Sequence, residues 1–115
     1  MLNPDLKRVI QALEAASRKG GKAIWAALAE DLDKAKRSRV VVNLSVINRH
    51  TEAGDVVAVP GKVLAAGALA HPVTVAAYAF SEGAREKISR ADSRAISLLD
   101  LLGEGVEPSK IKILK

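Results

Sequence analysis

Leu6, Val9, Ile10 and Leu13 recur at the three- and four-residue spacing of one helical face. Asn3-Pro4-Asp5 supplies a start for that helix: a capping amide, a proline tolerated in the first turn and an acid at the positive end of the dipole. Gly20-Gly21 ends it, because glycine takes the left-handed C′ conformation without strain. A second helix is predicted from Ala23 to about Ala35. Trp25, Leu28, Ala29 and Leu32 form its apolar stripe, with Glu30, Asp31 and Asp33 on other faces.

After residue 40 the period changes. Val40-Val41-Val42 reads as extended, and Asn43 or Ser45 is positioned to cap a short helix through Ile47 that ends near Gly54. Val56-Val57-Ala58-Val59 is a continuous apolar run, the pattern of a strand covered on both faces. Pro60-Gly61 predicts a bulge or bend, after which Val63-Leu64 resumes the strand. Val73–Phe80 is a second, central strand, with Tyr78 and Phe80 expected on one face and packed in the core. Ser81 caps a further helix buried through Ala84, Ile88 and Ala91. Arg94-Ala95-Ile96 is a short strand, and Ser97-Leu98-Leu99-Asp100 resembles a capping box. Lys110–Leu114 alternates cation and apolar residue, as an edge strand does. The sum is an α+β fold: two N-terminal helices, then a compact core of interleaved short strands and helices. The 115 residues suit one domain, with a helical part over about 4–35 and the α+β core over about 40–115.

Composition narrows the chemistry. With no cysteine, disulfides, thiolate catalysis and cysteine-ligated zinc are excluded. Trp25, Tyr78 and Phe80 are the whole aromatic set, so the core is built from Ala, Val, Leu and Ile. The apolar stretch Val63–Phe80 is long enough to raise the question of a membrane span. It is interrupted by Gly67, His71, Pro72 and Thr74, so buried strands are expected and no membrane association.

Charge is the strongest functional signal. The chain carries 18 Lys+Arg against 13 Asp+Glu, a formal +5. Residues 34–50 hold Lys34, Lys36, Arg37, Arg39 and Arg49 and no acid; without those five, 13 cations face 13 acids. A concentrated patch of this kind suits a polyanion, since each cation placed by a phosphate releases a counterion. Asn43, Asn48, Arg49 and His50 add groups able to contact phosphates, sugars or base edges. Scarce aromatics disfavour base stacking and favour recognition of folded RNA by phosphate, sugar and shape.

Catalytic and metal signatures are weak. Pro60-Gly61-Lys62 suggests a phosphate loop, but the pattern needs Gly where Val56 stands and Ser or Thr where Val63 stands. His50, Thr51, Glu52 and Asp55 supply too few ligands for a metal site, and His71 lies far off beside a proline. No cofactor, metal site or catalytic residue is expected.

Taken in order, NPDLKRVIQAL, IWAALAEDLDK, VNLSVINRHT, GDVVAVPGKVL, HPVTVAAYAFSEGAREKI and AISLLDLL resemble one family across nearly the whole chain. That family is the archaeal and eukaryotic large-subunit ribosomal protein eighteen-e, a relative of bacterial large-subunit ribosomal protein fifteen. The short chain, with no long extra tail, resembles the archaeal form. The resemblance implies a core described as an irregular β-β-α superhelix and a structural, non-catalytic role in the cytoplasmic ribosome. Its implied partners are large-subunit ribosomal RNA and neighbouring large-subunit proteins, with no homo-oligomer. The family's cationic segment corresponds to Lys34, Lys36, Arg37 and Arg39, its VN-x-x-x-INR pattern to Asn43, Asn48 and Arg49, and its PGK turn to Lys62. Two departures stand out: Val46 replaces a usual cation, and Ala35 replaces a proline, which leaves the second helix room to run further. The competing reading is a small nucleotide-binding domain or enzyme using the Pro60-Gly61-Lys62 turn. A third is a protein-interaction module with a merely soluble basic loop.

Overall fold

The computed structural model describes residues 4–20, 22–34 and 40–115. Helix α1 spans Pro4–Gly20 and buries Leu6, Val9, Ile10 and Leu13, the face that the spacing marks out. Helix α2, Ala23–Leu32, folds back on it through a short connection and buries Trp25, Leu28, Ala29 and Leu32. It stops about three residues short of the expected end. The Asp33 N–H closes the last turn on the Ala29 carbonyl at 3.0 Å, and Asp33 takes ψ 3°. Ala35, where the resemblance expects a proline, lies outside the described residues. Asp31 also departs from expectation: it is buried, at the margin of the apolar stripe, with its carboxylate held by two lysines.

Among the described residues five strands build one sheet: β1 Val40–Asn43, β2 Val56–Leu64, β3 Thr74–Phe80, β4 Arg94–Ser97 and β5 Ile111–Ile113. Every pairing is parallel. The continuous apolar run of β2 is what a parallel strand needs, since its connections cover both sheet faces. β3 lies along one edge of β2 and β4 lies beyond β3. The other edge of β2 is shared: β5 takes Val56–Ala58 and β1 takes Gly61–Leu64. The handover falls at Pro60, which has no N–H to donate, and the register against β3 slips between Val59 and Lys62. Gly61 is required there, because a Cβ would lie 1.9 Å from the Val40 carbonyl oxygen.

Helix α3, Leu44–His50, links β1 to β2; α4, Glu82–Arg90, links β3 to β4; α5, Leu98–Gly103, follows β4 and leads through a 3-10 turn at Pro108–Lys110 into β5. The mixed helix–strand class expected from the sequence is the one observed. The two serine caps form as the sequence suggests. Ser81 Oγ accepts from Ala84 N–H at 3.1 Å, and Ser97 Oγ accepts from Asp100 N–H at 3.0 Å. One sheet face packs against α1, α2 and α5 through Ala58, Ala76 and Ile111; the other packs against α3 and α4 through Val57, Val59, Val75 and Ala77. Tyr78 and Phe80 do not share a face: Tyr78 joins the first cluster and Phe80 the second. Strand alternation no longer governs Phe80, where β3 ends and the chain turns into the Ser81 cap. Val63–Phe80 divides between the end of β2, a loop and β3, and no helix among the described residues is long and apolar enough to cross a membrane.

Candidate nucleic-acid interface

The basic segment leaves α2 at Lys34 and enters β1 at Val40; Lys36, Arg37 and Arg39 lie outside the described residues. Lys34 is engaged. Its ammonium is 2.9 Å from Asp31 Oδ1, while Lys115 holds Asp31 Oδ2 at 3.0 Å. Burial opposes ionisation of Asp31, but the hydrogen bonds from Lys34 and Lys115 outweigh it and keep the carboxyl below its ordinary value. Lys34 thus anchors the segment's start to the fold and brings less uncompensated charge than sequence alone suggests.

The remaining candidates flank β1, but from two sides. Val42 and Val63 point into the α3–α4 cluster. Strand alternation therefore sends their neighbours Val41 and Lys62 to the opposite face. Val41 pairs with Lys62 in the ladder, is 58% exposed, and directly follows the basic segment. Asn48, Arg49 and His50 sit on α3, across the sheet from Lys62. The edge strand β1 is the element that both groups border.

Helix α3 is held by Leu44 and Ile47, both fully buried, which turn Ser45 and Arg49 outward on one face at i, i+4 spacing. Asn43 occupies the N-cap position without capping; the Ser45 N–H goes instead to the Ala66 carbonyl at 3.0 Å. Asn48 has a structural partner: its Oδ1 accepts from Ala70 N–H at 2.9 Å. Arg49 and His50 are exposed in the last turn, with no carboxylate partner among the described residues. Val46, standing where the resemblance expects a cation, packs against the second core cluster, so an apolar side chain is accommodated there.

Sequence reasoning missed Lys87. From the last turn of α4 its ammonium donates to the carbonyls of Ala65 and Gly67 at 2.9 and 2.8 Å. Gly67 has φ +94°, and a Cβ on it would meet Ser45 at 2.6 Å. Lys87, the 65–72 loop and the outer face of α3 are therefore one continuous surface. No local signal marks Lys87, because its contacts cross 20 and 22 residues.

Pro60-Gly61-Lys62 lies within β2 rather than in a strand-to-helix loop, and its glycine is taken up by the close approach of Val40. His71 Nε2 is 2.8 Å from the Thr51 hydroxyl, and no group of three or more potential metal ligands occurs among the described residues.

The family described as "Ribosomal proteins 50S-L15, 50S-L18e, 60S-L27A" matches residues 10–96. The chain belongs to this family. It is 42% identical over 113 residues to the large ribosomal subunit protein eL18 of Methanothermobacter thermautotrophicus, covering 98% of this chain and 93% of that protein. The eL18 of Sulfolobus acidocaldarius is 43% identical over 102 residues, covering 89% of this chain and 83% of its own. That of Methanococcus maripaludis is 40% identical over 112 residues, covering 97% and 93%. The matches take in both the helical N-terminal part and the sheet, including α3, Lys62 and Lys87.

Proposed function

We propose that the protein is a structural, non-catalytic component of the cytoplasmic large ribosomal subunit that binds folded ribosomal RNA. The observation that carries this reading is its likeness, over nearly its full length, to large-subunit eL18 proteins. In this reading Lys36, Arg37 and Arg39 meet phosphates from the segment between α2 and β1, anchored at Lys34. Lys62 joins them from one side of β1, and Arg49 and His50 from the other. Asn43 offers an uncommitted amide at the junction of β1 and α3. Asn48 contributes chiefly by fixing the 65–72 loop against α3. Neighbouring large-subunit proteins are the remaining partners, and no self-association is required.

Phosphate contact makes affinity fall steeply with salt. Four or five contacts at this interface contribute a slope of log affinity against log salt of roughly −3 to −4.5. Filter binding of the full chain to transcribed archaeal large-subunit RNA measures it, and a flat response between low and moderate salt overturns the proposal. Replacing Lys36, Arg37 and Arg39 together by glutamine should remove roughly two to three units of slope. The nucleotide-hydrolysis alternative draws no support from Gly61, whose close backbone contact explains its presence without a ligand.

A further inference from the structure

Sorting the described cations by partner separates them into two groups. Arg8, Lys34, Arg90, Arg94, Lys112 and Lys115 are matched to carboxylates within the fold. The others have no such partner among the described residues, and of these Arg18, Lys19 and Lys22 are exposed and stand together. They fall within five residues of one another, in a stretch, 15–29, that contains no acid. This second concentration of positive charge does not register in the net count, because acids elsewhere balance it.

Helix physics accounts for part of it. Arg18 and Lys19 are in the last turn of α1, where the dipole favours cations. Lys22 has no such reason. It stands at the N-cap of α2, a position that favours Ser, Thr, Asp or Asn, makes no capping bond, and has no acid in the following turn to offset it. Of these cations Lys19 lines an open groove of about 460 Å³, together with Trp25, Leu102, Val106, Pro108 and Glu107. Unpaired cations next to an apolar floor match a chain of regularly spaced anions joined to flat rings, which is what an RNA strand presents.

We infer that the α1–α2 turn is a second RNA contact, in which Arg18, Lys19 and Lys22 take backbone phosphates and an adjoining nucleoside covers the Trp25 groove. The inference rests on the ribosomal reading above. The turn lies at the far end of α2 from Lys34. Ten helical residues separate the two ends by about 15 Å. That exceeds the screening length of about 8 Å at physiological salt. The two patches therefore act as separate contacts whose salt dependences add.

Trp25 is the sole tryptophan and reports on this groove directly. Its emission is expected to change when the full chain is titrated with transcribed archaeal large-subunit RNA. In Lys19→Gln/Lys22→Gln the change should be lost, and the salt slope should fall by roughly 1.4 to 1.8. The control Lys7→Gln/Lys110→Gln removes the same charge from other exposed sites and should keep the Trp25 response and most of the slope. If wild type binds with a steep slope but Trp25 is silent, or the turn variant matches wild type, this inference is overturned while the ribosomal reading stands. If wild type shows no salt-dependent binding, the ribosomal reading fails first. An equal Trp25 response to polyglutamate would make the occupant an acidic polypeptide and overturn the RNA assignment.

Discussion

The two faces of the sheet are held by different physics. On one, α1, α2 and α5 bury a ladder of Leu, Val, Ile and Trp whose spacing follows the helical period. On the other, α3 and α4 are short, and side-chain hydrogen bonds between distant segments supplement a Val- and Ala-rich core. Asn48 holds Ala70, Lys87 holds Ala65 and Gly67, Ser93 Oγ accepts from Val73 N–H at 3.0 Å, and the Thr51 hydroxyl meets His71. The first face is built for stability. The second positions a loop and a helix face, the surface from which Arg49 and His50 join the proposed RNA contacts.

The comparison is tested hardest on the first face. Leu28→Ala removes a fully buried side chain and is expected to cost about 2–5 kcal/mol, read as a lowered urea midpoint. Gly61→Ala, at the seam where β1 meets β2, is expected to cost about 3 kcal/mol, because backbone rather than a flexible side chain must yield. An unchanged midpoint for either variant contradicts the packing described.

On the second face the effects should be smaller and local. Lys87→Ala and Asn48→Ala each remove exposed hydrogen bonds and are expected to cost about 1 kcal/mol. Their signature is faster amide exchange at Gly67 to Ala70 with the core amides unaltered. Uniformly faster exchange across the sheet would show that the two faces are not separable in this way.

The smallest effect concerns pH. The Asp31 carboxyl is held below its ordinary value, so its stabilisation is complete at neutral pH and is lost only as pH falls through the lowered value. Wild type should therefore lose stability below about pH 4, and Asp31→Asn should show a shallower acid limb. If the two acid limbs coincide, the lysine clasp contributes nothing measurable.

How much was legible follows from the range of each signal. The helical face of α1, the serine caps, the bend at Pro60 and the extended run of β2 are local patterns, and each appears where the sequence implies. Gly61 was legible as a bend but not as a close contact, since Val40 is 21 residues away. The burial of Asp31 escaped notice because its partners include Lys115, 84 residues distant. The separation of Tyr78 and Phe80 depended on where β3 ends rather than on alternation within it.

Charge divides in the same manner. Composition alone established that acid-free basic runs exist, and periodicity alone established helices, strands and their apolar faces, because both depend on near neighbours. Only the tertiary structure decided that all strands run parallel, that β1 and β5 share one edge of β2, and that Lys62 and Arg49 emerge on opposite faces. Only it distinguished cations neutralised by carboxylates from those left for a partner. The reason is that ion pairing and strand order join residues far apart in the chain, and those pairings come into being only when the chain closes on itself.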